Sequence, residues 1–187
     1  MKKIILEIIV SFLIKSKNIN LRLIEIEDAG FIVKLRLTRG LFLSKISNNI
    51  EIQKRWIIKY KEREYQNKEY YFIIESKDIK IGSIRAYSID YKRKEFSFGS
   101  FIIINNTVYK YASLESITEF FGFSFNTLNL DTCYFKCHKK NKKANIFYTR
   151  FQAECIGENN LEYFYKYDKK KFMNNILYYK SIYDSIS

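Results

Sequence analysis

Three consecutive strand patterns separated by short polar turns constrain the fold more than any other feature of the sequence. They run from Tyr70 to Glu75, from Ile79 to Ile89 and from Glu95 to Ile104, with turns at 76–78 and 90–94. Apolar, β-branched runs of this length between polar turns predict an antiparallel meander. The third strand ends in Phe-Ile-Ile-Ile, which is typical of a strand that is buried on both faces.

The patterns on either side of the meander predict a mixed α/β fold. An alternating strand at 20–28 leads, with Asp28 as the expected cap, into a helix that ends near Arg39-Gly40, and a second helix spans 50–64. After the meander come a helix at 114–128, a strand at 132–137, a helix near Asn141, and strands at 153–156 and 161–167. We therefore expect a mixed, mostly antiparallel sheet of about six to seven strands flanked by helices.

Length and composition indicate a single domain over residues 1–187. The chain is 47% hydrophobic and has no proline and only 6 glycines, which leaves few places for a linker. Residues 1–12 resemble a signal peptide, but Glu7 interrupts the apolar run, no cleavage site follows, and the run is shorter than the ~20 residues of a membrane span. We expect a first strand or an N-terminal extension there, no membrane span, and a helical tail at 172–187.

The formal net charge of +13 leaves two interpretations open. Lysines that face phosphates supply non-specific affinity for nucleic acids. The lysines here are scattered, however, without a basic helix, zinc-finger spacing or an RNP-like strand. A general attraction to phosphorylated cofactors and substrates explains the charge equally well, so we expect no nucleic-acid partner.

The cysteines are few and do not suggest a secreted disulfide framework, so we expect a cytoplasmic protein. Cys133, Cys137 and His138 lie close together, with Cys155 further along the chain. A zinc site needs a fourth ligand, and no residue with suitable spacing supplies one. We therefore expect no bound metal, and we expect His138 to be a solvated residue at the end of a strand.

The segment 141–155 combines a helical pattern with one unusually placed hydroxyl. Ala144, Phe147, Tyr148 and Phe151 recur at three- and four-residue intervals, so they share one face of a short helix. A phenol on this apolar stripe must find a hydrogen-bond partner, which can be another part of the protein or a ligand. Tyr148 is therefore either a core residue with a satisfied hydroxyl or a functional residue.

The order of elements after the meander suits phosphate binding. A buried strand, a loop at 105–113, a helix N-terminus, a parallel strand and a second helix form a β-α-β-α unit. The backbone N–H groups of the loop and the positive end of the helix can surround a pyrophosphate without any charged side chain.

This order of elements, together with Asn141-x-x-Ala144-x-x-Phe147-Tyr148, resembles the GNAT superfamily of acyl-CoA N-acyltransferases over about 21–167. The similarity is closest to the branch that contains ribosomal-protein N-terminal and bacterial amino-sugar acetyltransferases. Its patterns resemble Leu21-Arg-Leu, Asp28-Ala29, Trp56 and the strand from Ile81 to Arg85. The resemblance implies a sheet that splays at the cofactor site and acetyl-CoA as co-substrate.

The resemblance also implies which residues hold acetyl-CoA. The backbone of Phe101, Ile102 and Ile103 would pair with the pantetheine arm, and Asn141 and Ala144 would lie beside that arm. The loop for the pyrophosphate would consist of Thr107, Val108, Tyr109, Lys110, Tyr111 and Ala112. The family prefers Gln or Arg at position 107 and Gly at position 110, so only Ala112 fits, and Lys110 is either a phosphate contact or a solvated lysine.

For catalysis, the resemblance implies that Tyr148 hydrogen-bonds the sulfur that departs when an amine attacks the thioester. A backbone N–H of the buried strand would stabilise the oxyanion. A phenol of pKa ~10 is a weaker acid than a thiol of pKa ~8.5, so this hydroxyl is best described as a hydrogen-bond donor that can complete the proton transfer. Glu95 is the candidate base, acting through water, and a surface ion pair with Arg93 or Lys94 is the alternative.

Arg39, Trp56 and Arg85 lie where this branch places its acceptor pocket. We expect an N-acetyltransferase that acts on a primary amine, with a nucleotide-linked amino sugar of bacterial surface polysaccharide synthesis as the substrate by analogy. Acetylation of protein N-termini, as in the ribosomal-protein enzymes, is an alternative. A non-catalytic CoA-binding module is another, because the phosphate loop departs from the family pattern. The acyl-chain preference and the oligomeric state, a homodimer included, are not determined by the sequence.

Overall fold

The computed structural model describes residues 13–104 and 109–184, in which eight strands and five α-helices occur. The strands are β1 (Leu13–Lys15), β2 (Asn20–Leu23), β3 (Tyr70–Ser76), β4 (Ile79–Asp90), β5 (Glu95–Ile103), β6 (Thr132–His138), β7 (Glu154–Glu158) and β8 (Glu162–Asp168). The helices are α1 (Ala29–Arg39), α2 (Ile50–Tyr65), α3 (Ala112–Gly122), α4 (Lys142–Arg150) and α5 (Lys169–Asp184). A short 3-10 helix, Ile26–Asp28, precedes α1, and a π-helical segment, Phe123–Thr127, continues α3.

The strands form one sheet in the order β1-β2-β3-β4-β5-β6-β8-β7, in which only β5 and β6 run parallel. The predicted mixed, mostly antiparallel sheet is confirmed, with eight strands instead of six to seven. The additional strand is β1, whose three residues are too few to show a periodic pattern. The stretch 1–12, predicted to be a strand or an extension, lies outside the described residues. Within the described part of the chain, no helix is long and apolar enough to cross a membrane.

The two faces of the sheet carry separate hydrophobic cores. Helices α1 and α2 cover one face, where Leu35 and Ile57 pack with Tyr71 of β3. The other face holds a larger aromatic core to which α3, α4 and α5 contribute. The predicted apolar stripe of α4 is confirmed, since its four residues all pack in this second core: Ala144, Phe147, Tyr148 and Phe151.

Strands β5 and β6 separate in the middle of the sheet, which confirms the predicted splay. Their parallel pairing ends where Ser97 lies opposite Tyr134, although β5 continues to Ile103 and β6 continues to His138. Beyond Ser97, the edge of β5 that faces β6 therefore has no strand partner among the described residues. Backbone N–H and C=O groups on this edge are available to a ligand.

A β-bulge at Ser100 changes which face of the sheet the side chains at the end of β5 lie on. Ser100 has a φ of 51°, and Ser100 and Phe101 together lie opposite one residue of β4. The carbonyl of Ser100 accepts a hydrogen bond of 2.8 Å from Ser83 Oγ. Phe98 consequently belongs to the aromatic core, whereas Ile102 belongs to the core under α1 and α2.

The prediction that the end of β5 is buried on both faces is wrong. Ile102 is buried, but Phe101 and Ile103 are half-buried and Ile104 is 39% exposed. The reason is the separation of β6, which no longer covers this part of β5.

The prediction that Asp28 caps the first helix also needs correction. Its side chain makes no capping hydrogen bond to α1. The carboxylate instead lies 2.7 Å from Arg22 Nη1 and 2.6 Å from Lys80 Nζ, and it accepts a hydrogen bond from Glu25 N. Burial alone would favour the neutral acid, but hydrogen bonds, chiefly from Arg22, outweigh burial and lower the pKa of Asp28 to about 2.

Candidate active site

The separation of β5 and β6 opens a cavity of about 510 Å³ that reaches both faces of the sheet. Its described walls come from α1 and the following loop, β4, β5, β6, α4 and the start of β8. Aromatic side chains of the larger core line one part, and charged side chains line the part under α1. A cavity of this volume is typical of a small-molecule site.

Tyr148 brings a hydroxyl to the aromatic part of the cavity. The side chain is 9% exposed, and its ring centroid lies 4.9 Å from that of Phe135 and 5.8 Å from that of Phe98. Within residues 13–104 and 109–184, the Tyr148 hydroxyl has no hydrogen-bond partner and is not among the buried unpaired atoms. Burial raises the pKa of Tyr148 well above its usual range, so the hydroxyl stays protonated and can donate a hydrogen bond. These contacts favour a functional tyrosine over a satisfied core residue.

Hydrogen bonds of Asn141 and Asn145 fix the start of α4 against β6 and β8. Asn141 Oδ1 accepts a hydrogen bond of 3.3 Å from the N–H of Ala144, which makes Asn141 the N-cap. Asn145 Nδ2 donates to the carbonyl of His138 at 3.0 Å, and Asn145 Oδ1 accepts from the Tyr165 hydroxyl at 2.9 Å. Asn141 and Ala144 both line the cavity, as their predicted place beside the cofactor arm requires.

The residues of β5 predicted to hold the cofactor arm divide into two groups. Phe101 and Ile102 line the cavity, and Ile103 is not part of its lining. The unpaired edge of β5 passes along the cavity from Phe98 to Ile102. A ligand that carries amide groups could extend the sheet there by pairing with this edge.

The predicted phosphate loop is described only in part. Two of its residues lie outside the described residues, Thr107 and Val108. Of the others, Tyr109 and Tyr111 are half-buried, and Ala112 is buried at the first turn of α3. Lys110 is exposed, with its Nζ 5.2 Å from the centroid of the Tyr111 ring, so both interpretations of this lysine stay open. Among residues 13–104 and 109–184, no side chain caps α3, and its positive end can face an anion.

Glu95, the predicted base, is not in the lining of the cavity. Its Oε2 lies 2.9 Å from Arg93 Nε, next to the turn between β4 and β5. A surface ion pair with Arg93 or Lys94 was the alternative to a role of Glu95 as the base, and the pair with Arg93 is present. The geometry gives no support to Glu95 as the base.

Glu162 is the one carboxylate among the described residues that line the cavity. It begins β8 opposite His138 of β6, and its Oε2 accepts a hydrogen bond of 2.9 Å from Lys136. His138 also lines the cavity and lies against the ring of Phe42, with the centroids 5.3 Å apart. Its Nδ1 already accepts a hydrogen bond of 3.1 Å from Lys140 N, so this nitrogen is not free to take a proton from a substrate. Glu162 is therefore the better-placed proton acceptor.

Two of the three predicted acceptor residues, Arg39 and Arg85, line the cavity, and Trp56 does not. The indole of Trp56 stacks on Tyr60 at 5.8 Å and lies 5.5 Å from the guanidinium carbon of Arg85. Trp56 therefore packs against Arg85 but is not part of the cavity wall.

The sequence interpretation missed three charged side chains of the cavity: Arg36, Lys136 and Glu162. Arg36 could have been found, because it lies three residues before Arg39 on the same helix. Glu162 could not have been found from the sequence. Its position depends on the register between β6 and β8, and α4 and β7 separate these two strands in sequence.

Three comparisons with known proteins bear on this geometry. The family model of the acetyltransferase (GNAT) domain matches residues 18–152. No curated protein sequence matches the chain. A solved structure, the apo form of FdhC, described as a nucleotide-linked sugar GNAT, is 35% identical with a TM-score of 0.81 and covers 91% of this chain and 97% of its own.

More distant structures share the fold. Mutant forms of the spermidine/spermine N-acetyltransferase SpeG from Vibrio cholerae are 21% identical, with a TM-score of 0.71 and coverage of 86% of this chain and 99% of theirs. A Vibrio cholerae protein provisionally assigned as a ribosomal-protein-serine acetyltransferase is 15% identical, with a TM-score of 0.70 and coverage of 84% of this chain and 97% of its own.

The family model and the 35% identical structure together show the family. The chain therefore belongs to the GNAT acetyltransferase family of N-acyltransferases, which generally use acetyl-CoA.

Proposed function

We propose that the chain transfers an acetyl group from acetyl-CoA to the primary amine of a nucleotide-linked amino sugar. The observation that carries this proposal is the charge of the cavity, where one carboxylate lies among four cationic side chains: Arg36, Arg39, Arg85 and Lys136. Such a cavity attracts an amine that carries phosphate groups and repels a polyamine. The 35% identity to a nucleotide-linked sugar GNAT supports the same class of acceptor.

Three features of the chain suit acetyl-CoA as the acetyl donor. The unpaired edge of β5 beyond Ser97 can pair with the amides of the pantetheine arm. The N-terminus of α3, which no described side chain caps, can face the pyrophosphate. Tyr148 lies in the aromatic part of the cavity, where its hydroxyl, which has no partner among the described residues, can donate to the sulfur.

The proposed reaction forms a carbon–nitrogen bond and breaks the carbon–sulfur bond of the thioester. Glu162 accepts, through water, the proton by which the substrate ammonium becomes a neutral amine. A backbone N–H on the free edge of β5 donates to the carbonyl oxygen as it gains negative charge. Tyr148 hydrogen-bonds the departing sulfur; of the two protons on the attacking nitrogen, one ends on the thiol and the other stays on the amide nitrogen.

Release of free thiol from acetyl-CoA, followed with a colorimetric thiol reagent, tests the substrate. The panel contains nucleotide-linked amino sugars, peptides with ribosomal-protein N-termini, and spermidine. We expect turnover with the nucleotide-linked sugars. Turnover with the peptides alone would instead indicate a protein N-terminal acetyltransferase. No turnover, combined with no rise in Tm at saturating acetyl-CoA, would indicate a non-catalytic module.

The base is tested by comparing Glu162→Gln with Glu95→Gln. We expect Glu162→Gln to lower kcat about 100-fold near neutral pH and to recover part of this loss at high pH, where the amine loses its proton in solution. A large loss in Glu95→Gln with normal turnover in Glu162→Gln would reverse the assignment.

A further inference from the structure

We infer that Arg36 and Arg85 together form an anion subsite in the part of the cavity under α1, and that this subsite takes the diphosphate of the acceptor. The identity of the anion rests on the proposed function. The existence of the subsite rests on the contacts of the two arginines.

Arg36 carries a charge that no carboxylate neutralises within the described residues. One of its terminal nitrogens, Nη2, donates to the carbonyl and to Oγ of Ser44, at 2.5 and 2.9 Å. Its Nε is buried without a hydrogen-bond partner among the described residues. Burial lowers the pKa of Arg36, interactions with the Tyr71 hydroxyl oppose this shift, and the charge of Arg85 adds to it, but a guanidinium stays protonated in proteins. A partly buried cation without a counterion is stabilised by an anion that enters the cavity.

Arg85 is held in a fixed orientation by its surroundings. Its guanidinium carbon lies over three aromatic rings, at 4.7 Å from the centroid of Tyr87, 5.5 Å from Trp56 and 5.9 Å from Tyr71. Its Nε lies 3.2 Å from Glu69 Oε1, and the other oxygen of Glu69 lies 2.6 Å from Arg63 Nε. One carboxylate is therefore shared by two arginines, so the charge of Arg85 is only partly compensated.

The two guanidinium groups match a diphosphate better than a single carboxylate. Arg36 and Arg85 line the same cavity and act electrostatically on each other. A planar guanidinium binds phosphate oxygens through paired N–H donors, and two such groups can neutralise the two charges of a diphosphate. Arg39, exposed at the end of α1, adds attraction for the same anion. The subsite therefore suits the phosphate groups of the acceptor, and it lies on the opposite face of the sheet from Tyr148.

Titration calorimetry with uridine diphosphate and thymidine diphosphate tests the subsite. The protein is first saturated with CoA, so that the diphosphates cannot occupy the CoA pyrophosphate site. We expect Arg36→Gln and Arg85→Gln each to weaken diphosphate binding roughly 10- to 100-fold and to leave CoA binding unchanged. Arg55→Gln on α2 removes the same charge from an exposed position outside the cavity lining and should change the affinity less than twofold.

Folding of the variants is checked by thermal melting. Replacement of Arg85 leaves Glu69 paired with Arg63, so the variant should fold. Arg85→Lys provides a second test, because it keeps the charge, loses the paired donors, and should recover only part of the affinity.

Equal diphosphate affinity in the wild type and both glutamine variants, or no binding to the wild type, would overturn the subsite. The proposed function can fail separately. If no nucleotide-linked amino sugar is acetylated while diphosphate binding depends on both arginines, the subsite stands and the substrate assignment fails. If acetylation proceeds with an unchanged KM in both variants, the substrate assignment stands and the subsite fails.

Discussion

Replacing Tyr148 with phenylalanine removes one oxygen atom and keeps the ring, so it separates the chemistry of the hydroxyl from the packing of α4. The ring has four aromatic neighbours, at centroid distances of 4.9 Å (Phe135), 5.8 Å (Phe98), 5.8 Å (Phe147) and 5.9 Å (Tyr165). Phenylalanine preserves these contacts. Within the described residues no hydrogen bond is lost, so we expect Tm to stay the same or to rise.

The expected catalytic effect of Tyr148→Phe is large. Loss of one donor to a group that gains negative charge in the transition state costs about 3 kcal/mol, which corresponds to roughly 100-fold in kcat. Because burial raises the pKa of Tyr148 well above its usual range, ionisation of the phenol should not limit turnover up to about pH 10.

The assay for Tyr148→Phe measures thiol release, acetyl-CoA affinity and Tm on the same preparation. Tyr165→Phe is the matched control, because its hydroxyl already donates to Asn145 Oδ1 at 2.9 Å. This control should lose about 1 kcal/mol of stability and little turnover. Wild-type turnover in Tyr148→Phe would refute the assignment, as would a loss of turnover that follows an equal loss of acetyl-CoA binding.

Two further predictions concern stability. A Cβ at Gly82 would overlap the carbonyl oxygen of Ile102, so we expect Gly82→Ala to cost about 1–3 kcal/mol in urea unfolding and to weaken acetyl-CoA binding by shifting β5. At Gly30 in α1 the nearest atom to a new Cβ is 3.8 Å away, so we expect Gly30→Ala to raise the free energy of unfolding by about 0.5–1 kcal/mol. Equal changes of the free energy of unfolding in Gly82→Ala and Gly30→Ala would contradict this reasoning. The pKa of Asp28 is lowered to about 2 by hydrogen bonds that outweigh its burial, so its stabilising effect is complete above about pH 4 and is lost as the pH falls towards 2. Urea titrations at pH 5 and pH 2.5 should show a drop in unfolding free energy that is about 1.5 kcal/mol smaller in Asp28→Asn than in the wild type, and the same drop in both would exclude Asp28 as its source.

The elements that follow from local patterns were predictable. The strands β3, β4 and β5 and the apolar stripe of α4 depend on periodicities of two and of three to four residues, which are properties of neighbours in sequence. The same periodicity placed Tyr148 on the buried face of α4 before its neighbours were known. The fold class followed from the order of these elements.

Predictions that depended on pairing between distant segments were less accurate. The bulge at Ser100 shifts the register between β5 and β4, beyond the last residue at which β5 pairs with β6. A strand pattern alone cannot show where such a partner ends, so the end of β5 was wrongly expected to be buried on both faces. Glu95 was a reasonable candidate base on a strand of uncertain register, but it pairs with Arg93 beside the turn.

By itself, the sequence determined the helices and strands, their order, and the apolar setting of Tyr148, because local spacing decides which side chains share a face. The tertiary structure alone decided which charges meet in the cavity. Arg36, Arg85 and Glu162 come from α1, β4 and β8, and only the order and register of the sheet bring them to one site. Charged side chains interact through space and show no periodicity along the chain, so their partners become visible only when the fold is complete.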